Sequence, residues 1–127
     1  MAIKLNHTIV WSRDKQASAN FLAEILGLPE PVPFGPFHGV LVDNEVTLDF
    51  GDNRGKIGSQ HYAFLIAEAD FDAAFRRIKE RHLPYWADPG REHRGKINTH
   101  DGGRGLYFED PSGHLLEILT RPYGSGG

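Results

Sequence analysis

The feature that most restricts the fold of this chain is that one order of elements occurs in it twice. In residues 5–11, Leu5, His7, Ile9 and Trp11 alternate with Asn6, Thr8 and Val10, the two-residue period of a strand with one face turned to an interior. Asp14 then caps a helix in which Ala17, Phe21, Leu22 and Ile25 recur at helical spacing, and Gly27 stands where a left-handed residue would end it. Residues 29–36 are proline-rich and irregular. Gly39-Val40-Leu41-Val42 and Val46-Thr47-Leu48-Asp49-Phe50 flank Asp43-Asn44-Glu45 as a hairpin. The pattern restarts at His61-Tyr62-Ala63-Phe64-Leu65-Ile66. A helix over residues 69–82 follows, capped by Asp70 and turning Phe71, Ala74, Phe75 and Ile78 inward. Pro84-Tyr85-Trp86 reads as a short strand and residues 88–103 as a long polar loop. Leu106-Tyr107-Phe108 pairs with residues 115–120 around Asp110-Pro111-Ser112-Gly113.

Laid over the first half at a constant offset, the second half puts His61 on His7 and Phe75 on Phe21. Identity between the halves is faint; what repeats is strand, helix, then three short strands ending in a hairpin, which is the mark of a duplicated supersecondary unit. The expected fold is α+β: two tandem βαβββ modules with pseudo-twofold symmetry, forming a curved mixed-sheet cup. Module 1 covers about 1–54, module 2 about 57–122, and 123–127 are a short tail. A chain of 127 residues suits one such domain better than two independent halves with meagre cores.

Composition narrows the chemistry. A formal net charge of -3 gives no electrostatic reason to expect nucleic acid. Cysteine is absent, which removes thiolate ligands and cysteine nucleophiles and leaves His, Asp and Glu to hold any metal. The first residues enter the alternating pattern directly, without a long apolar run, so a cytoplasmic protein acting on a small molecule, without membrane association, is expected.

His7 and His61 occupy matching positions on the first strand of each module, and Glu117 lies between Leu115 and Leu119 on the last. A single inward histidine is ordinarily a core residue. An inward carboxylate between leucines is different, because burying it unpaired costs several kcal/mol, on the order of other buried charges. Two imidazoles and a carboxylate converging from three strands form a facial ligand set for one divalent ion, Fe(II), Mn(II), Zn(II) or Ni(II), with positions left open for substrate or water.

The duplicated layout, these three residues, and the run Gly105-Leu106-Tyr107-Phe108-Glu109-Asp110-Pro111-Ser112-Gly113-His114-Leu115-Leu116-Glu117 together resemble the vicinal oxygen chelate superfamily. That group takes in glyoxalase I, type I extradiol dioxygenases, fosfomycin-resistance enzymes, methylmalonyl-CoA epimerase and bleomycin-binding proteins. The longer stretch from Asn98-Thr99-His100 through Tyr107 to Glu117 is similar to the signature of the extradiol dioxygenases. That resemblance implies that His100 and Tyr107 bond a bound catecholate and the oxygen species. Those enzymes also keep an acid/base histidine near the end of the first module, where this chain has Thr47 and Asp49. Superposing the terminal hairpins sets Thr47 opposite Glu117. Thr47 is a poor ligand where glyoxalase I has a glutamate, so a three-ligand site is expected, with Asp49 as a base or substitute ligand. Trp11, Phe37, Tyr62 and Trp86 would line the pocket with Thr47, and Arg104 or Lys96 would hold a substrate anion.

The implied function is a mononuclear metal enzyme acting on a substrate chelated through vicinal oxygens, in its leading version extradiol-dioxygenase-like. Its alternatives are a glyoxalase-type lyase or isomerase, a bleomycin-type binding protein, and a fosfomycin-type thiol transferase or hydrolase. The resemblance also implies a homodimer.

Overall fold

A computed structural model of the chain describes residues 2–126. It resolves into two compact units, Met1–Gly58 and Ser59–Gly127, each built on its own four-stranded mixed sheet. In the first unit β1 (His7–Ser12) leads to α1 (Lys15–Leu26) and then to β2 (Val32–Phe34), β3 (Phe37–Leu41) and β4 (Thr47–Asp52), in the sheet order β1-β4-β3-β2. In the second, β5 (His61–Leu65) leads to α2 (Glu68–Glu80), β6 (Tyr85–Trp86), β7 (Gly105–Glu109) and β8 (Leu115–Leu119), in the order β5-β8-β7-β6. In both, the first strand pairs parallel to the last and the remaining pairs are antiparallel. The α+β class and the repeated βαβββ order are those expected from the sequence. Among the described residues no helix is long and apolar enough to cross a membrane.

Asp14 does cap α1, its side chain accepting from the Ala17 N–H, and Gly27 ends the helix at φ 69°. The buried face of α1 is Ser18, Ala19, Leu22, Ala23 and Ile25, and Ala17 is exposed. That face is made largely of small residues, which let the helix axis come close to β3 and β4, so Ala19 and Ala23 serve better there than the periodic match at Ala17. The cap of α2 differs from expectation. Its N-cap is Ala67, which makes no side-chain bond, while Asp70 lies inside the first turn beside Glu68. There the two acids oppose the positive end of the helix dipole, and Arg77 and Lys79 suit the negative end.

A strand also forms inside the proline-rich stretch. Pro33 is tolerated because β2 is the outer strand of its sheet, where a missing N–H breaks no ladder bond.

Alternation identified the faces of β1 but not which one the helix covers. Val10 and Ser12, with 2% and 0% exposure, face the core, whereas Ile9 and Trp11 remain 41% and 44% exposed. The set of His7, Ile9 and Trp11 therefore shares a face, as expected, and that face is the open one. Leu5, also assigned to it, lies before the strand and is exposed. Core burial in this unit comes from Val10, Val40, Leu48 and Phe50 with the helix residues, and in the second unit from Leu106, Phe108, Leu116 and Ile118 with Phe71, Ala74 and Ile78.

The strand registers correct one equivalence between the halves. His7 stands beside Thr47 and Ile9 beside Asp49, while His61 stands beside Leu115 and Ala63 beside Glu117. Asp49, not Thr47, is thus the counterpart of Glu117. The two hairpin turns agree. Val42 N–H donates to Val46 O and Glu45 N–H to Val42 O; in the second unit Asp110 N–H donates to His114 O and Gly113 N–H to Asp110 O. The left-handed residue is Glu45 at φ 66° in one turn and Gly113 at φ 89° in the other. Because the first turn places a glutamate where the second has glycine, it lacks the residue that marks such a position in sequence. A slip of two residues keeps every side chain on its own face, so the error was silent in the alternation pattern.

Candidate metal centre

β8 is buried along nearly its whole length. Leu116 and Ile118 fill the core, and Glu117 turns to the other face with Leu115 and Leu119, yet remains only 1% exposed. Its neighbours across the ladder are Ala63 on β5 and Tyr107 on β7. Ala63 contributes only a methyl group, which leaves His61, earlier on the same face of β5, free to reach the carboxyl. His61 Nε2 lies 3.0 Å from Glu117 Oε1. The other ring nitrogen, Nδ1, is 2.9 Å from the carbonyl oxygen of Leu115. A carbonyl can only accept, so Nδ1 carries a proton and Nε2 presents its in-plane position to Glu117. This is the position a divalent ion takes when an imidazole is oriented by a backbone carbonyl through its far nitrogen. The 3.0 Å separation also matches the edge between adjacent donors of an octahedral ion with bonds of about 2.1 Å. The pair therefore fits a metal.

The second carboxyl oxygen, Oε2, accepts a hydrogen bond from the hydroxyl of Tyr123. Tyr107 and Tyr123 hydroxyls are 2.9 Å apart. Since Tyr123 donates to Glu117, Tyr107 donates to Tyr123, and a directed chain runs Tyr107 to Tyr123 to Glu117. The Tyr107 ring also stacks near His61, with centroids 5.8 Å apart. Burial, reinforced by the neighbouring Glu117, holds both phenols above the ordinary tyrosine range, so both stay donors at neutral pH. Tyr123 was not among the site residues expected from sequence, where 123–127 read as a mere tail. The signal present was an aromatic enclosed by turn formers, Pro122-Tyr123-Gly124-Ser125-Gly126.

In the first unit the open face carries His7, whose Nδ1 is 2.8 Å from Asn6 Oδ1, together with Thr47 and the largely buried Asp49. Gly39 lies directly beside Asp49 across the ladder, and a β-carbon there would come within 3.2 Å of Asp49 Oδ1. Trp11 and Phe37 pack with ring centroids 6.4 Å apart, both over Gly51, where a β-carbon would stand 2.9 Å from each ring. The face is thus a carboxylate, a histidine and an aromatic wall. Among the described residues, no group of three or more His, Cys, Asp or Glu side chains comes together that could hold a metal ion. The structure brings His61 to Glu117 and leaves His7 on the open face of its own unit.

The other expected site residues divide. Trp86, 7% exposed, stands beside Tyr107 on the Glu117 face, with the Arg91 guanidinium 5.7 Å above its ring. Tyr62 is on the opposite face, edge-on to the buried His114 at 5.9 Å. Burial and then the Asp110 charge raise its hydroxyl above the usual range, and it does not share the His61 face. Arg104 is likewise committed elsewhere. It bonds Glu68 and Asp72 of α2, each at 2.8 Å, and lies 4.5 Å above the Phe71 ring. Standing next to Gly105 in chain order, it points to the helix side, and its fixed fork matches the paired carboxylates there. His100 is exposed on the short 3-10 turn His100–Gly102.

Comparison with known proteins adds the following. The family model described as Glyoxalase/Bleomycin resistance protein/Dioxygenase superfamily matches residues 4–118. The glutathione transferase FosA of Serratia marcescens is 31% identical over 124 residues, 93% of this chain and 81% of that one. The metallothiol transferase FosB of Shouchella clausii is 40% identical over 60 residues, covering 47% of this chain and 37% of its own. Among solved structures, oxidase ChaP-H2 is 61% identical with a TM-score of 0.97 over 100% of both chains. Oxidase ChaP-H1, also 61% identical, has a TM-score of 0.95 and covers 97% of this chain and 99% of its own.

Proposed function

Because the chain belongs to the glyoxalase/bleomycin resistance protein/dioxygenase superfamily, we propose that it is a metal-dependent oxidase or dioxygenase. Its substrate is a flat, oxygen-rich molecule with oxygens on adjacent carbons. The observation that carries this reading is the His61–Glu117 pair at 3.0 Å, with the carboxyl buried and the imidazole oriented by the Leu115 carbonyl. His61 and Glu117 hold the ion in the second unit, and in the first unit His7 and Asp49, the latter the counterpart of Glu117 in the repeat, are donors of the same kind. The ion is Fe(II), Mn(II), Zn(II) or Ni(II), and when bound it supplies Lewis acidity toward the adjacent substrate oxygens.

The chain's own residues supply the rest. Glu117 offsets the positive charge at the centre, and its burial keeps water from competing for the carboxyl. Tyr107 and Tyr123 form a line of neutral hydroxyls at the carboxyl, able to orient a substrate oxygen or pass it a proton. Trp11 with Phe37 offers flat apolar surface on the open face of the first module, which favours an aromatic ring over a small keto-acid, while Trp86 and Tyr107 are packed beside the pair at 7% and 6% exposure. The two oxidases that are 61% identical to this chain over nearly its full length support an oxidative reaction over a glyoxalase-type isomerisation. A thiol transfer onto an epoxide is the second reading, favoured by the 31% identity with a glutathione transferase. A homodimer is part of the proposal, because the open face around His7 carries Ile9, Trp11 and Leu41, 41%, 44% and 52% exposed.

The test is oxygen uptake by protein loaded anaerobically with Fe(II) and then mixed with catechols and larger polyphenols. Uptake that disappears in His61→Ala and Glu117→Ala supports the reading. No uptake with any of them, alongside glutathione transfer to fosfomycin, would replace it with the second.

A further inference from the structure

Residues 121–126 form a built structure. Asp101, itself held at φ 57° in the 3-10 turn, accepts the Gly124 N–H on Oδ2 at 3.1 Å and the Gly126 N–H on Oδ1 at 3.2 Å. The turn between them closes on itself: Ser125 donates to the Pro122 carbonyl through its N–H at 3.1 Å and its hydroxyl at 2.6 Å. Arg121 in turn donates to the Ser125 carbonyl at 3.2 Å. Glycine is required along this path. Gly124 is left-handed at φ 80°, and a β-carbon on Gly126 would overlap the Asp101 backbone at 2.0 Å. A β-carbon on Gly103 would stand 2.6 Å from both Arg121 Cγ and Thr120 Oγ1. Both oxygens of one carboxylate are thus spent on fixing a single turn, and that turn carries Tyr123, whose hydroxyl bonds Glu117.

We propose that Tyr123 is a positioning residue for Glu117, and that Asp101 serves the metal centre by holding the turn that delivers it. The inference rests on the metal-binding reading above. Glu117 has two oxygens with two different partners. Oε1 faces His61 across the gap that fits an ion, and Oε2 is taken by the Tyr123 hydroxyl. When an ion is held on the Oε1 side, the Tyr123 bond on Oε2 need not break. It stops the carboxylate from rotating, and Tyr107 behind it fixes the direction in which Tyr123 donates. Partners of a ligand's far atom act in this way in metal sites, and losing one weakens binding by about 10–100-fold.

The experiment compares the full chain with Tyr123→Phe, Asp101→Ala and Glu117→Ala. Zn(II) affinity is measured by competition with a chromophoric chelator, and Co(II) is used to record the visible ligand-field bands. Tyr123→Phe is expected to bind Zn(II) about tenfold more weakly and to shift the Co(II) bands. Asp101→Ala, which leaves the phenol intact but cuts its tether, should move both readouts in the same direction by a smaller amount. Tyr123→Phe binding within twofold of the parent, with unchanged bands, overturns the proposal while the metal reading stands. Tighter binding also overturns it, because the phenol would then compete with the ion. A parent chain that binds no Zn(II), or a Glu117→Ala variant that binds as tightly as the parent, removes the metal reading itself.

Discussion

Replacing Glu117 by leucine should stabilise the metal-free protein while abolishing metal binding. The carboxyl is 1% exposed between Leu115 and Leu119, and a carboxylate withdrawn from water that far loses several kcal/mol of hydration, roughly offset by good hydrogen bonds. Its partners do not share its confinement: the His61 side chain is 46% exposed and Tyr123 59%. His61 can turn to water when the carboxyl is gone and the Tyr123 hydroxyl keeps its bond with Tyr107, so neither is left as a buried unpaired group, the usual reason that breaking such a pair is costly. Leucine instead adds apolar contact on a strand whose neighbours are apolar. The net expectation is a gain of about 1–2 kcal/mol, in line with other replacements of buried ionic groups by apolar ones. For a chain of this size that is a rise in Tm on the order of 5 °C. The assay is thermal and denaturant unfolding at neutral pH with chelator present, beside Glu117→Gln as a control that keeps size and hydrogen bonding, followed by Zn(II) titration. A loss of 1 kcal/mol or more in the leucine variant, with the glutamine variant unchanged, would refute the reasoning. The network of His61, Tyr123 and Glu117 would then be holding the fold together rather than being tolerated by it.

Phe108→Ala, at a position with 0% exposure, is expected to lose about 3–5 kcal/mol through the cavity it opens, read from the denaturant midpoint. Arg104→Ala should leave Zn(II) affinity unchanged, because its guanidinium is engaged with Glu68, Asp72 and the Phe71 ring; weaker Zn(II) binding in a folded variant would place it at the site after all. Asp110 is held above the ordinary carboxylate range by burial, against the opposing pull of backbone N–H groups. A raised folded-state pKa means that its contribution to stability is complete below the unfolded value of about 3.9 and is lost as pH rises through the folded value. Asp110→Asn should therefore gain stability relative to the parent as pH rises from about 4 toward neutrality, and a difference that stays constant across that range would contradict the assignment.

How much of this was legible in the sequence depended on which physical rule had to be read. The repeated βαβββ order, the Asp14 cap and the Gly27 terminator follow from local rules of period and capping, and they stand in the structure as read. The placement of Glu117 between Leu115 and Leu119 followed in the same way, because a strand has only two faces. Local rules stop where a choice depends on what covers a face. Alternation put His7, Ile9 and Trp11 together but could not say that α1 would lie on the other side, over Val10 and Ser12. It did separate Tyr62 from His61, which are adjacent in β5 and so on opposite faces, and expecting both in one pocket went against that rule.

The remaining decisions were made by contacts between segments distant in sequence. The register of β1 on β4 made Asp49 the counterpart of Glu117, through a turn whose left-handed residue is a glutamate. Arg104 was drawn to two carboxylates a helix away, which no spacing rule announces. Asp101 brought Tyr123 onto Glu117 by binding two backbone N–H groups far along the chain. By itself the sequence determined the elements, their order and the residues able to bind a metal, because those depend on neighbours three or four positions away. Only the tertiary structure decided which of them meet, because register and face are settled by packing of the whole sheet against its helix.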